Sequence, residues 1–164
     1  MSASGTGIDP RGPRFGAGIT AVLLLITVGL ALLEGTAATL AERALQPSFL
    51  LLALLTAIFA WGAFAGIARH PYGWVFRKLV RPRLKPPTEL EDPAPPTFAQ
   101  GIGFVVTLAG VVLHLFGVPY AIVVAGSLAF VAAFLNSVFA YCIGCQLYLL
   151  LVRAGVLGRK SAVA

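Results

Sequence analysis

The chain has only two cysteines, and they stand three apart as Cys142-Ile143-Gly144-Cys145. A C-x-x-C pair supports disulfide exchange, sulfur transfer or metal binding, and in each case the reacting species is the thiolate. On a continuous helix, residues three apart share a face with Cβ atoms about 5–6 Å apart. A disulfide needs Cβ atoms nearer to about 3.8 Å. A local break is therefore expected, and Gly144 is its natural place because glycine adopts irregular backbone at little cost. If the break opens a new helix, the first thiol gains the positive end of the helix dipole, which favours its thiolate. Gln146, one turn after Cys142, is placed to hydrogen-bond that thiolate. Cys142 and Cys145 are thus the candidate catalytic residues. Their order of attack does not follow from the sequence. Inert packing and metal binding remain open beside the redox reading.

Metal binding is the weakest of the three. Without a second C-x-x-C, one chain cannot close a four-thiolate zinc site. The two histidines are His70 and His114. His114 is expected at the opposite membrane face from the cysteines. His70 is expected on their side, but two cysteines and one histidine leave a metal short of ligands unless another chain contributes. The sequence contains no GxGxxG, Walker A loop, HExxH or RNA-binding signature. No metal or other cofactor is expected. A quinone would complete an electron path to the outer face, but no residue here calls for one.

The elements that must position the pair are apolar. Hydrophobic residues make up 59% of the chain and charged residues 11%, against about 25% charged in soluble domains. A span needs roughly 20 apolar residues to cross about 30 Å of hydrocarbon. Four stretches qualify, at about 15–33, 49–68, 98–116 and 120–141. The last apolar run continues to Val152, about 50 Å if wholly helical. It must tilt, project or break, and is read as the fourth span with a helical extension to 152. These give one membrane domain over 15–153, a mobile N-terminal tail over 1–14 and a basic C-terminal tail over 154–164. Arg11 and Arg14 before the first span resemble a signal peptide. Cleavage is rejected because that run is nearly span length and more spans follow.

Between the second and third spans lies the one long polar segment, 69–97. Pro71 suits a first helical position, and Trp74 to Val80 reads as a short interfacial helix ended by Pro82. Pro82, Pro86, Pro87, Pro93, Pro95 and Pro96 then favour extended chain. A further turn of helix is expected at 40–45. Gly62 and Gly66 form a small-xxx-small pattern suited to helix packing within the chain.

The net charge of +6 would suggest nucleic acid in a soluble protein. Here the basic residues flank the spans, so lipid contact and orientation explain them. Arg11, Arg14, Arg69, Arg77, Lys78, Arg81, Arg83, Lys85, Arg153, Arg159 and Lys160 fall on one side of a four-span arrangement, and Arg43 alone falls on the other. The expected fold is an all-α integral membrane protein with four transmembrane helices. Both termini and the long Pro-rich basic loop between helices 2 and 3 are expected in the cytoplasm.

Several motifs together resemble a known family. They are Asp9-Pro10-Arg11-Gly12-Pro13-Arg14-Phe15, Pro71-Tyr72-Gly73, Leu79-Val80-Arg81-Pro82-Arg83-Leu84, Glu89-Leu90-Glu91-Asp92-Pro93-Ala94-Pro95-Pro96, Phe98-Ala99-Gln100, and Phe134-Leu135-Asn136 leading to the cysteine pair. The chain resembles the bacterial membrane proteins of domain of unknown function 4395 from about Asp9 to Arg153. Its Ala-, Gly- and Arg-rich usage is similar to that of actinobacterial members. The resemblance implies a bacterial inner-membrane location and carries the family's cysteine pair onto Cys142 and Cys145. Similar proteins are often encoded near thioredoxin-like proteins and thiosulfate sulfurtransferases, which implies thiol or sulfane-sulfur handling.

The leading functional expectation is therefore a membrane thiol–disulfide or sulfane-sulfur relay, working with a thioredoxin-like or sulfurtransferase partner. The sequence alone leaves enzymatic turnover open. Two alternatives stand beside it. One is a non-catalytic anchor or assembly subunit that docks a cytosolic partner through the Pro-rich loop. The other is a small sulfur-anion carrier, weakened because no charge lies deep in a span.

Overall fold

A computed structural model describes residues 7–157. Over those residues the chain is helical, with one isolated antiparallel bridge between Ile8 and Glu91. Seven α-helices follow in order: α1 (Arg11–Leu33), α2 (Leu40–Leu45), α3 (Pro47–Ala65), α4 (Pro71–Val75), α5 (Ala94–Leu115), α6 (Ala121–Phe139) and α7 (Ile143–Arg153). Four of them, α1, α3, α5 and α6, are long and apolar enough to cross a membrane. They form a ring in which α1 packs on α6, α6 on α5, α5 on α3 and α3 on α1.

The interior of the ring is built from Leu24, Leu52, Leu55, Ile122 and Ala129. Three buried threonines carry their own solution to the missing water. The hydroxyls of Thr27, Thr56 and Thr107 each donate to the carbonyl four residues earlier, at 2.8 Å. No hydroxyl need then stay unpaired in an apolar medium. The outer surface is as apolar as the core, with Leu25, Leu54, Phe64, Val105, Val124 and Leu128 all exposed. A soluble protein does not present apolar surface on every side, but a helix bundle in lipid must.

Glycines set the closest approaches inside the ring. A Cβ on Gly110 would lie 2.4 Å from the Ala125 methyl, and one on Gly103 would lie 2.5 Å from the Phe59 ring. Gly62 and Gly66, expected as a packing pair, divide the work. Gly62 lies flat against the Gln100 side chain, whereas Gly66 has φ +85° and ends α3 with nothing against its α-carbon.

Where the connections run, the structure departs from sequence expectation in two places. Helical backbone does not stop at Pro82. After α4 the chain makes a π-helical turn over Phe76–Val80 and a 3₁₀ turn over Arg81–Arg83, with Pro82 inside it. Proline is tolerated there because early positions of a helical turn have no N–H partner to lose. For the same reason Pro95 and Pro96 do not belong to extended chain but form the first turn of α5, whose start Asp92 secures by accepting from the Ala94 N–H at 2.9 Å.

The described basic residues other than Arg43 gather at the end of the bundle that holds the start of α1, the 66–93 segment and α7. Arg11 there donates to the Lys85 carbonyl at 3.1 Å, and the Ile8–Glu91 bridge pins the N-terminal segment to the loop through two 2.9 Å bonds. Arg159 and Lys160 lie outside the described residues. At the opposite end, Arg43 is wholly occupied by backbone. Its guanidinium donates to the carbonyls of Ala37, Ala38 and Leu115 at 3.2, 3.2 and 3.1 Å. It thereby ties the 34–39 loop to the last residue of α5. Glu34, whose charge stops α1, bends over to accept from the Ser48 N–H at 2.9 Å and from its hydroxyl, capping the start of α3.

Candidate functional site

The fourth apolar run is not one helix. α6 ends at Phe139 because Ala140 turns into the left-handed region at φ 55°, and the Tyr141 N–H returns to the Leu135 carbonyl at 3.1 Å. This closure is normally given to glycine, since a Cβ costs about 1–2 kcal/mol there. Cys142 is then extended (φ −89°, ψ 100°), and α7 starts at Ile143. The expected helical extension through 152 is thus a separate helix. The break falls at Ala140–Cys142 rather than at Gly144.

Gly144 has a different task. It lies in the first turn of α7, where a Cβ would meet the Ala99 Cβ at 2.6 Å and the Ala99 Cα at 2.7 Å. It lets α7 lie against α5. The Phe98 and Tyr148 rings, 5.5 Å apart, hold the same two helices together one turn further along.

Cys142 is the N-terminal cap of α7. Its sulfur accepts the Cys145 N–H at 3.2 Å, and its carbonyl accepts the Gln146 N–H at 3.0 Å. With Cys142 outside the helix, its Cα lies 5.2 Å from that of Cys145. This is within the range for bridged cysteines, and the sulfurs stand at bonding distance as a disulfide. Both residues are half-buried. The expected Gln146 partner is replaced. A residue four positions on shares a face only if both are helical, and Cys142 is not; the Cys145 backbone N–H takes that place, and Gln146 is exposed.

Neither histidine joins the pair. His114 stands at the other end of the bundle, stacked on Phe49 with ring centroids 5.7 Å apart. His70 caps α4, accepting the Tyr72 N–H on Nδ1 at 3.2 Å. It lines a cavity to which the cysteines do not contribute. Among the described residues no three His, Cys, Asp or Glu side chains converge as a metal site.

Two features escaped the sequence reading although one had a signal. Thr39-Leu40-Ala41-Glu42 is a capping box: the Glu42 N–H donates to the Thr39 hydroxyl at 3.2 Å and the Glu42 carboxylate accepts from the Thr39 N–H at 3.2 Å. The Thr-x-x-Glu spacing announces it. The carbonyl clamp of Arg43 has no such spacing, because its partners are remote in the chain.

Fold and site together define a multi-pass membrane protein with a capped cysteine pair at the basic end of its bundle. The family model described as "Domain of unknown function (DUF4395)" matches residues 8–153, and the chain belongs to that family. No curated protein and no solved structure matches it.

Proposed function

We propose that the protein is a membrane thiol relay in which Cys142 and Cys145 exchange disulfide or sulfane sulfur with a thioredoxin-like or sulfurtransferase partner. The observation that carries this reading is the cap itself. The Cys142 sulfur faces the N-terminus of α7 and already accepts a backbone N–H. When the pair is reduced, that N–H and the helix dipole favour the Cys142 thiolate over that of Cys145. Cys142 is therefore the attacking thiol. Its thiolate attacks one sulfur of the partner's disulfide, and the partner's other sulfur leaves as a thiolate. Cys145, deprotonated, then attacks the Cys142 sulfur, closes the Cys142–Cys145 disulfide and releases the reduced partner. Two electrons pass from the pair to the partner, and a dithiol protein restores the pair by the reverse steps. With a persulfide partner, Cys142 takes the terminal sulfur, and Cys145 displaces it as sulfide.

The basic end faces the cytoplasm of a bacterial inner membrane in this proposal, by the charge bias of the described residues and the positive-inside rule. The partner then approaches from that side. The test is to replace Cys145 by Ser and challenge membranes with an oxidised dithiol protein. A mixed disulfide through Cys142 is expected, with none in the Cys142→Ser variant. Accumulation through Cys145 instead would reverse the assignment, and none in either variant would refute the relay.

A second reading, a docking anchor, rests on the 84–91 stretch between the last 3₁₀ turn and Asp92, exposed at every residue but Pro87. It predicts that the double Cys→Ser variant keeps its function and that replacing 84–89 with a Gly/Ser linker abolishes it.

A further inference from the structure

The basic end of the bundle also holds a cavity of about 290 Å³, distinct from the cysteine pair. Its wall on α1 includes Gly12, Gly16 and Thr20, one residue per turn on one face, with Pro13 beside them. Opposite stand Phe76 and Tyr72, close enough that a Cβ on Gly12 would lie 3.4 Å from the Phe76 ring and one on Gly16 3.3 Å from the Tyr72 Cβ. The two glycines thus set how near α4 sits and leave the space beyond it open.

Two side chains that line it carry buried atoms without partners. His70 is 3% exposed, and its Nε2 has no hydrogen bond. Because Nδ1 accepts the Tyr72 N–H, the neutral ring carries its proton on Nε2. The carbonyl of Ile58 acts on the ring from outside hydrogen-bond geometry. Gln100 lines the same cavity, and its Oε1 is buried and unpaired. That oxygen lies against Gly62 of α3, which does not line the cavity, and the NH₂ is the end of the carboxamide left to face it. The Thr20 hydroxyl stands beside the Tyr72 phenol. At the rim are exposed Arg77 and Arg81. The carboxylate there, Asp9, is already matched by Arg11 at 2.7 Å. The cavity therefore offers donors inside and uncancelled positive charge at its mouth.

Native proteins do not leave such groups unpaired without a reason. We infer that this cavity binds an oxyanion of phosphate or sulfate type, held by His70 Nε2–H, the Thr20 hydroxyl and the Gln100 amide, and drawn in by Arg77 and Arg81. The same chemistry is offered by a free ion or metabolite and by the headgroup of an anionic lipid. Oxyanion oxygens accept several donors at once, and charge-assisted bonds of this kind are the strong ones. The cavity exceeds a bare ion and lies just below the size of common small-molecule sites, which leaves room for an attached organic group.

The test uses the full chain in nanodiscs of phosphatidylcholine. Sodium sulfate and sodium phosphate are titrated against sodium chloride at equal ionic strength, and thermal unfolding is followed. A second set of discs contains phosphatidylglycerol. Saturable stabilisation by sulfate or phosphate beyond chloride supports a site for a soluble ligand. Stabilisation that appears only with phosphatidylglycerol supports a headgroup site. In either case Thr20→Val, the paired Arg77→Gln and Arg81→Gln change, and His70→Asn must each weaken the effect. His70→Asn retains an acceptor for the Tyr72 N–H, because Asn is a good N-cap, and removes only the Nε2 donor. Loss of one charge-assisted bond should weaken binding about tenfold. The proposal is overturned if chloride matches both anions and phosphatidylglycerol adds nothing, or if any one of the three variants responds as the wild type does.

Discussion

Replacing Gly144 by Ala should destabilise the protein and loosen the cysteine pair. Two effects oppose each other. Alanine gains up to about 1 kcal/mol of helix propensity over glycine. Against that, the new methyl would stand 2.6 Å from the Ala99 Cβ and 2.7 Å from its Cα, where ordinary contact begins near 3.4 Å. Neither atom can rotate away, so α7 must retreat by about 1 Å, and overpacking of this kind costs about 1–3 kcal/mol. With two unyielding atoms in the way the cost falls in the upper part of that range, so the clash wins and the net loss is up to about 2 kcal/mol. The assay is thermal unfolding in detergent, with the alkylation rate of the reduced thiols measured in parallel. A lower unfolding temperature and faster alkylation are expected. Gly101→Ala is the control, because nothing lies within 4 Å of its Cβ position; it should be neutral or stabilising. Adding Ala99→Gly to Gly144→Ala removes the 2.6 Å contact but not the 2.7 Å one, so it should recover part of the loss. If Gly144→Ala behaves like Gly101→Ala, α7 does not lie against α5 as described.

Further outcomes follow from other parts of the bundle. Arg43→Ala should lower stability by about 2 kcal/mol, because three carbonyls lose a charged donor, and Arg43→Lys should restore little of it, since an ammonium lacks the planar fork. Ala140→Gly should raise stability by up to about 1–2 kcal/mol in thermal unfolding by relieving a left-handed alanine. Burial pushes the His70 pKa below its ordinary 6.5, with the Ile58 carbonyl opposing. The unfolded chain then binds a proton more readily than the folded one. Stability is complete above 6.5 and falls as pH drops from there toward the depressed folded value. Unfolding temperature against pH should show this fall in the wild type and less of it in His70→Asn.

The spanning helices were legible because nothing about them depends on remote contacts. A charge-free run such as Phe15 to Leu33 must be helical in lipid, whatever its neighbours are. The grouping of basic residues was equally plain. The sequence brought out the cysteine pair but not the geometry around it. The sequence marked Gly144 as the break, since glycine is the usual left-handed residue. The chain instead turns at Ala140, because Gly144 is required for contact with Ala99, and that contact joins residues remote in sequence. Gln146 failed as the thiol partner for a related reason. Its assignment assumed one continuous helix, and ending α6 early changed which groups face Cys142. The His70–Gln100 cavity was invisible, since it draws on α1, α4 and α5 at once.

The central claim is that Cys142 and Cys145 cycle between dithiol and disulfide through Cys142. The most direct measurement is mass-tag alkylation of free thiols in native membranes, before and after diamide and then dithiothreitol, on wild type and the two single Cys→Ser variants. Two tagged thiols are expected after reduction, none after oxidation, full reversibility, and a trapped mixed disulfide when only Cys142 remains. Thiols whose tagging does not respond to oxidant or reductant, with no mixed disulfide in either variant, would contradict it.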